Sequence, residues 1–131
     1  MGKWLSGGTP RMSNPEFWNG AIPWVCPKDM KRSRLWDTID HLSAKALSNG
    51  TRQVPPSTLL LVVRGMILAH TFPVARAEVP LAFNQDIKAL IPREDVDSDF
   101  LLWWLTANES LLLGITTEST HGTKRAPMDE L

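Results

Sequence analysis

The side chains that most often carry catalysis are few in this chain and stand far apart. The three histidines, His41, His70 and His121, are widely spaced, and no two of them have the spacing of a metal site. The single cysteine, Cys26, has no second cysteine to pair with. A hydrolase that uses Asp86 with His70 is the one catalytic arrangement left open. Otherwise we predict no enzyme, no metal centre and no cofactor.

Other signatures of catalysis are weak. The Gly7-Gly8 pair lacks the lysine of a Walker loop and the third glycine of a dinucleotide-binding loop, so no nucleotide site is indicated. The acidic residues between positions 94 and 99 precede an apolar run with helical spacing. Helix capping explains these carboxylates more simply than acid-base chemistry does.

A run of cations offers a different kind of chemistry. Residues 28–34, with the sequence KDMKRSR and hereafter the basic segment, carry four cations in seven positions. Such a segment is either a solvated loop or a surface that meets phosphates, and the sequence leaves both open. The chain as a whole is neutral, with 14 basic and 14 acidic residues. Any contact with a polyanion must therefore rest on local clustering of charge.

The most apolar stretch, residues 59–92, contains further polar groups. Residues 59–63 form an apolar run typical of a strand buried on both faces, and apolar residues recur at 79–83 and 87–91. The polar interruptions are Arg64-Gly65, Asn84-Gln85-Asp86 and Lys88. We therefore predict a small sheet that presents polar groups at one edge.

Each of these polar groups also has a structural interpretation. Arg64 can form an ion pair with Asp86 inside the sheet, or it can face a ligand. Asn84 and Gln85 can cap the backbone at a strand end, or they can read a partner. The sequence does not decide between these alternatives.

The elements that position these groups fit one domain. The chain has 131 residues, 43% of them hydrophobic, which is enough for a single core. We expect regular structure to begin only after a turn at residues 7–10, with helical turns at 15–19 and 43–47. Residues 22–25 should form an extended piece that Pro23 restricts to a sheet edge, and residues 71–79 an exposed connection.

A helix is predicted over residues 98–113. Apolar residues recur at helical spacing at Phe100, Trp104, Ala107 and Leu111, and aspartates stand in the first turn, where they suit the helix dipole. We expect Trp103 and Trp104 to be core or lid residues.

The sequence also suggests a compartment. A lone cysteine is typical of a reducing cytoplasm, and the first ten residues contain no continuous apolar run of a signal peptide. Residues 59–69 are too short, and too charged at Arg64, to cross a bilayer. We expect a cytoplasmic protein without a membrane segment.

Several segments together resemble a known family. In order they are Gly7-Gly8-Thr9-Pro10, Pro15-Glu16-Phe17-Trp18-Asn19-Gly20, Ile22-Pro23-Trp24-Val25, Pro27-Lys28-Asp29-Met30, Arg64-Gly65, Asn84-Gln85-Asp86-Ile87-Lys88 and Gly122-Thr123. Their types and order resemble a target recognition domain of the DNA specificity subunit of type I restriction-modification systems. The resemblance runs from Gly7 to about Arg125.

The resemblance implies an α/β (α+β) domain, with a small twisted mixed β-sheet flanked by short helices. Such a domain reads one half of a bipartite site in double-stranded DNA and performs no chemistry. The partner methyltransferase subunit methylates adenine, and a restriction subunit completes the system. S-adenosylmethionine, ATP and magnesium would belong to those partners. The residues expected to face DNA are Lys28, Lys31, Arg32, Arg34, Arg64, Asn84, Gln85, Lys88, His121, Thr123, Lys124 and Arg125.

These residue types suit the role. Arginine fits the paired acceptors of guanine, and asparagine or glutamine fits the donor-acceptor pair of adenine. The lysines suit phosphates, which position a protein on DNA but carry no sequence information.

The chain also departs from the family pattern. A complete specificity subunit has two recognition domains separated by long helices, and here residues 1–131 provide one domain without such a spacer. The alternative to a sequence-reading DNA module is therefore a structural or protein-interaction remnant of a specificity subunit that lacks useful DNA affinity.

Overall fold

The computed structural model describes residues 2–64 and 73–108. These ranges hold nine strands, one α-helix and three 3₁₀ helices. The strands are β1 (Gly2–Ser6), β2 (Ile22–Val25), β3 (Arg34–Leu35), β4 (Asp40–Leu42), β5 (Gln53–Val54), β6 (Leu59–Val62), β7 (Val74–Ala77), β8 (Leu81–Phe83) and β9 (Ile87–Pro92). The α-helix is α1 (Ser98–Ala107), and the 3₁₀ helices are Pro15–Phe17, Pro27–Asp29 and Ala44–Ser48.

The larger sheet has five strands in the order β1-β9-β6-β7-β3. Its central strand, β6, is antiparallel to both β9 and β7, whereas β3 joins β7 in parallel. All four residues of β6 are fully buried, as a continuous run of Leu and Val requires. The buried strand predicted from residues 59–63 is confirmed.

The smaller sheet has four strands in the order β4-β2-β8-β5. Its two central strands, β2 and β8, are parallel, with Trp24 opposite Ala82 and Val25 opposite Phe83. Their carboxyl ends therefore lie at the same edge of the sheet. The sequence predicted one small sheet, and the strands divide between two because residues 22–25 and 81–83 pair with each other.

The main core lies between the larger sheet, β8 and helix α1. Leu101, Leu102 and Leu105 of α1 pack into the same buried cluster as the leucines of β6. Burial of each such leucine contributes about 1.5–3 kcal/mol. A second, smaller cluster surrounds Trp24 and Leu42. The predicted α+β class is confirmed: within residues 2–64 and 73–108, the regular structure is mostly sheet, with few helices.

Two strands occupy segments for which the sequence predicted something else. Residues 2–6 form β1, which pairs with β9 along its whole length, so regular structure begins before the turn at residues 7–10. Residues 74–77 form β7, although residues 71–79 were expected to be an exposed connection. Val74, Ala75 and Ala77 are buried there, and the charged groups that made the segment look exposed are paired within the fold.

The predicted edge position of β2 is wrong. Pro23 faces β4, opposite His41, and the parallel ladder with β8 begins at Trp24. Because the ladder with β8 does not include Pro23, the missing N–H of the proline does not prevent β2 from being a central strand.

The helix begins where it was predicted, but its buried face differs. The Asp97 carboxylate caps α1 by accepting from the N–H groups of Asp99 and Phe100. The buried side chains are Leu101, Leu102 and Leu105, whereas Phe100 and Trp103 are 59% and 63% exposed. The helix ends at Ala107, and the rest of the predicted helix, residues 109–113, lies outside the described residues.

The ten-residue α1 is the longest helix in the described ranges, and no helix there is long and apolar enough to cross a membrane.

Candidate nucleic-acid interface

The ends of three strands bring separate polar segments together. Strands β2 and β8 end at the same edge, and the backbone N–H of Asn84 donates to the Val25 carbonyl at 2.9 Å. Strand β6 ends where β9 begins, and the Val63 N–H donates to the Asp86 carbonyl at 2.9 Å. The segments that follow β2, β6 and β8 therefore meet. We call the group formed by Arg64 and residues 84–86 the Arg64 edge.

Arg64 is fixed by two neighbours on this edge. Its Nε donates to Asp86 Oδ1 at 3.0 Å, and its Nη2 donates to the Gln85 carbonyl at 3.0 Å. The ion pair that the sequence left as an alternative is present. The Arg64 and Asp86 side chains are 39% and 32% exposed, so solvent weakens the pair. Its main effect is to hold the direction of the guanidinium.

Asn84 and Gln85 have different environments. Asn84 is 7% exposed, and its Oδ1 accepts from the Asp86 N–H at 3.0 Å, which is the capping role that the sequence left open. Gln85 is exposed, and its Oε1 accepts from Thr9 Oγ1 at 2.6 Å. Of the two amides, only that of Gln85 is well presented to solvent.

The Gly7-Gly8 pair explains how this turn is supported. The Gly8 N–H donates to the Phe83 carbonyl at 3.0 Å. A Cβ atom on Gly7 would lie 2.4 Å from the Asn84 carbonyl oxygen, so no other residue fits at this position. The turn that carries Asn84 and Gln85 thus rests directly on the first loop of the chain.

The basic segment begins with a capped 3₁₀ turn. The Asp29 carboxylate accepts from the Cys26 N–H at 2.9 Å and from the Ile39 N–H at 3.3 Å. Lys28 Nζ pairs with Asp40 Oδ2 at 2.8 Å, and this hydrogen bond raises the pKa of the lysine. The segment is therefore tied to the chain that follows it.

All four cations of the basic segment are exposed, but Lys31 and Arg32 differ from the other two in their partners. Within the described ranges, no carboxylate lies within ion-pair distance of either residue. They line a concavity with Pro73, Val74 and Thr106, and Pro73 accepts from the Val62 N–H at 3.2 Å. Because Val62 ends β6 just before Arg64, these cations lie at the same end of the larger sheet as the Arg64 edge.

Arg34 lies farther along the sheet and is already paired. Its Nη1 donates to Glu78 Oε1 at 2.7 Å, and its Nη2 donates to Asp99 Oδ1 at 2.6 Å. Arg76 donates to both oxygens of the same Glu78 carboxylate, at 2.7 and 2.6 Å. We call Arg34, Arg76, Glu78 and Asp99 the arginine network. Arg34 stands opposite Arg76 on β7. Arg76 is two residues, or about 7 Å, along the strand from Val74, which lies beside Lys31 and Arg32.

The arginine network fixes the ionisation of Glu78. Burial opposes the charged form, but hydrogen bonds from Arg76 and Arg34 outweigh burial, and the pKa of Glu78 lies below its usual value of 4.5. Glu78 therefore stays charged at neutral pH.

The remaining predicted site residues divide into two groups. Lys88 lies on β9 opposite Leu61, near the end of β6, and its Nζ donates to Ser6 Oγ at 2.7 Å. His121, Thr123, Lys124 and Arg125 lie outside the described residues, as does His70. Of the predicted set, Lys28, Lys31, Arg32 and Arg34 line one concavity, Arg64 and Gln85 lie on the Arg64 edge, and Lys88 lies near the same end of the larger sheet.

The described ranges contain no group of three or more His, Cys, Asp or Glu that could hold a metal ion. Cys26, beside the basic segment, is half-buried. Burial, followed by the nearby Asp29 charge, raises the pKa of the thiol to about 12. The thiol is therefore protonated at neutral pH, which does not suit a nucleophile.

One part of this surface, Trp36, was not predicted from the sequence. Trp36 lines a concavity of about 270 Å³ together with the cations of the basic segment, and it is 65% exposed. The sequence held only a weak signal for it: a tryptophan in a polar stretch that directly follows the four cations.

Fold and surface together define a class of protein, namely a small mixed-sheet domain with a fixed polar edge suited to binding. Comparison with known proteins identifies the relatives of this chain. It is 43% identical over 98 residues to the EcoR124I/EcoR124II type I restriction enzyme specificity subunit of Escherichia coli, covering 73% of the chain and 24% of that protein. It is 34% identical over 109 residues to the MjaIX specificity subunit of Methanocaldococcus jannaschii, covering 79% of the chain and 24% of that protein. No protein-family model matches the chain.

Solved structures show the same fold. A chain from a study of complex assembly and conformational transition of the type I R-M system matches with a TM-score of 0.66 and 18% identity, over 95% of this chain and 28% of that one. The HsdS subunit from Thermoanaerobacter tengcongensis matches with a TM-score of 0.63 and 20% identity, over 98% and 31%.

The chain is therefore a relative of the type I restriction enzyme specificity subunits, and the resemblance inferred from its motifs is confirmed. It spans about a quarter of the length of the curated relatives that it matches.

Proposed function

We propose that this chain is a DNA target recognition domain that binds double-stranded DNA sequence-specifically and reads one half of a bipartite site. The observation that carries the proposal is the 43% identity to a type I specificity subunit over 73% of the chain. The geometry supports it, because exposed cations and a held guanidinium lie at one end of the sheets.

The residues at this end would have two different roles, contact with base edges and contact with phosphates. Arg64 and Gln85 are held at defined positions on the Arg64 edge and are suited to base edges in the major groove. Lys31 and Arg32 would contact phosphates, with Lys28, Lys88, Lys124 and Arg125 as further candidates. Asn84 would act mainly by shaping the turn that presents Gln85, because it is buried.

The domain itself would perform no reaction. As in the family that it resembles, a methyltransferase subunit and a restriction subunit would supply the chemistry, together with S-adenosylmethionine, ATP and magnesium. The domain would direct those subunits to a sequence in the cytoplasm.

The alternative is a remnant of a specificity subunit without useful DNA affinity. One observation favours it: Lys28, Arg34 and Arg64 each have a carboxylate partner, and the chain has no net charge. If paired cations are not available to phosphates, affinity rests on few contacts.

Selection from a random pool of DNA duplexes at low salt separates the two functions. We expect the parent chain to recover a short fixed half-site. Arg64→Ala should relax the choice at one position, at a cost of about 1–3 kcal/mol for the preferred sequence. Arg93→Ala is the matched control, because Arg93 also pairs with a carboxylate at 3.0 Å but directly follows β9, at the opposite end of that strand from Asp86.

Lys31→Ala tests the phosphate role in the same assay. It should weaken binding to all sequences about equally and lower the salt slope by about 0.9. If the parent recovers no sequence, even after the methyltransferase partner is added, the remnant is the correct interpretation.

A further inference from the structure

Two large apolar side chains project from one short loop beside the basic segment. Trp36 is 65% exposed and Ile39 is 70% exposed, and both lie between β3 and β4. A single exposed apolar residue is ordinary, but a tryptophan and an isoleucine three positions apart in a connection of four residues form an apolar projection.

Hydrogen bonds hold the backbone of this loop. Thr38 Oγ1 accepts from the Trp24 N–H at 3.1 Å and donates to the Asp40 carbonyl at 2.6 Å. The Ile39 N–H donates to Asp29 Oδ1 at 3.3 Å. Because Thr38 is fastened to β2 and Ile39 to the basic segment, the loop presents Trp36 and Ile39 on a fixed support.

Cations outnumber carboxylates around Trp36. It lines its concavity of about 270 Å³ together with Lys28, Lys31, Arg32 and Arg34, and with Asp29 and Asp37. Asp29 accepts from backbone N–H groups, and Asp37 pairs with His41. Lys31 and Arg32 have no acidic partner within the described ranges, so this rim attracts a polyanion. Trp103 is a useful contrast: it is 63% exposed, but it stands on α1 with its ring 6.0 Å from that of Phe100.

We infer that Trp36, supported by Ile39, contacts the 5-methyl group of a thymine in the major groove of double-stranded DNA. The inference rests on the proposed function and adds to it a residue that reads sequence through apolar contact. When Lys31 and Arg32 contact phosphates, Trp36 lies beside the DNA. The major groove of DNA offers one apolar feature that differs between bases, the methyl group of thymine. A rigid apolar projection beside phosphate contacts fits that feature.

Replacing thymine by deoxyuridine tests this contact, because it removes the methyl group and keeps the base pair. Each thymine of the half-site recovered in the selection is replaced in turn, and binding of the full chain is measured by titration. For the parent, one replacement should weaken binding about fourfold, the value of one buried methyl group. Trp36→Ala should bind the two duplexes equally, whereas Trp103→Ala should keep the fourfold preference.

The outcomes separate this inference from the proposed function. If a half-site is recovered and Trp36→Ala keeps the full preference for thymine, or if the parent has no such preference, the inference is wrong and the proposed function stands. If no half-site is recovered, even after the methyltransferase partner is added, both are wrong. Thermal unfolding of Trp36→Ala serves as the folding check, and its midpoint should match that of the parent because the side chain is exposed. Ile39→Ala, measured in parallel, should reduce the preference without abolishing it.

Discussion

Two clusters of arginine and carboxylate in this molecule have the same chemistry and different surroundings. In the arginine network, Arg76 and Glu78 are 16% and 11% exposed and are joined by two short hydrogen bonds. On the Arg64 edge, Arg64 and Asp86 are 39% and 32% exposed and are joined by one. Desolvation makes the Arg76–Glu78 pair part of the folded interior, whereas the Arg64–Asp86 pair remains within reach of a partner.

The comparison explains why the basic segment is not one functional unit. Arg34, at its end, belongs to the arginine network through Glu78 and Asp99. Lys31 and Arg32, three and two positions earlier, are exposed without an acidic partner in the described ranges. The four cations of the basic segment are therefore all exposed, and they differ in whether a carboxylate partner holds them.

The largest effect is expected from Glu78→Gln. This change leaves Arg76 beside a neutral amide in a largely buried site, and a broken buried pair costs about 3 kcal/mol. Urea unfolding should show this loss in the free energy of unfolding. Asp95→Asn is the control: it breaks the exposed pair with Arg93 and should cost less than about 0.5 kcal/mol. Equal losses for both changes would refute the distinction between buried and exposed clusters.

Arg34→Ala should have a smaller effect on stability, about 1 kcal/mol, because Glu78 keeps Arg76 as its partner. Its effect on DNA binding sharpens the comparison. If Arg34 serves the arginine network, the slope of log affinity against log salt should not change. A residue that contacts phosphate would lower that slope by about 0.9, as we expect for Lys31→Ala. A lowered slope for Arg34→Ala would mean that Arg34 contacts DNA phosphates, as the sequence resemblance implied.

Acid should weaken the arginine network. The pKa of Glu78 is depressed in the folded state, because the hydrogen bonds from Arg76 and Arg34 outweigh burial. Its contribution to stability is therefore fully present above the unfolded value of 4.5 and is lost as the pH falls through the folded pKa. The free energy of unfolding can be measured by urea titration from about pH 6 to about pH 3, the range in which carboxyl groups titrate. It should fall less steeply with decreasing pH in Glu78→Gln than in the parent. Identical slopes would mean that Glu78 is not held in its charged form.

Much of the fold could be predicted because some segments have a local sequence pattern that specifies their structure. Strand β6 is an unbroken run of Leu and Val, and Asp97 stands directly before helix α1 as a cap. Strand β7 was missed for the opposite reason. Its Arg76 made the segment look exposed, and the groups that neutralise it include Asp99, which is distant in the chain. Such pairing depends on the tertiary structure and leaves no local pattern.

Prediction of the candidate site from the sequence was limited in the same way, by contacts between distant residues. The Arg64–Asp86 pair was foreseen as an alternative because both residues flank predicted strand ends, which an antiparallel pair brings together. The partners of Arg34 were not foreseen, since they are 44 and 65 positions away. The face of α1 was predicted wrongly because the helix is apolar on both sides, with leucines buried and Phe100 and Trp103 exposed. Helical spacing alone cannot choose between two apolar faces.

The prediction that bears least on this comparison concerns Cys26, which lies at the start of the exposed region but is itself half-buried. Burial, reinforced by Asp29, raises the pKa of the thiol from 9.0 to about 12, while Lys28 acts in the opposite direction. At pH 8 the folded protein should therefore hold about a thousandfold less thiolate than the unfolded chain. Alkylation by iodoacetamide should be slow in buffer and fast in concentrated urea. Because burial is the larger cause, Asp29→Ala should leave alkylation slow in buffer. Rapid alkylation of the folded parent would show that the start of the basic segment, next to Cys26, is open to solvent. The contrast between this fixed start and the exposed Lys31 and Arg32 would then no longer hold.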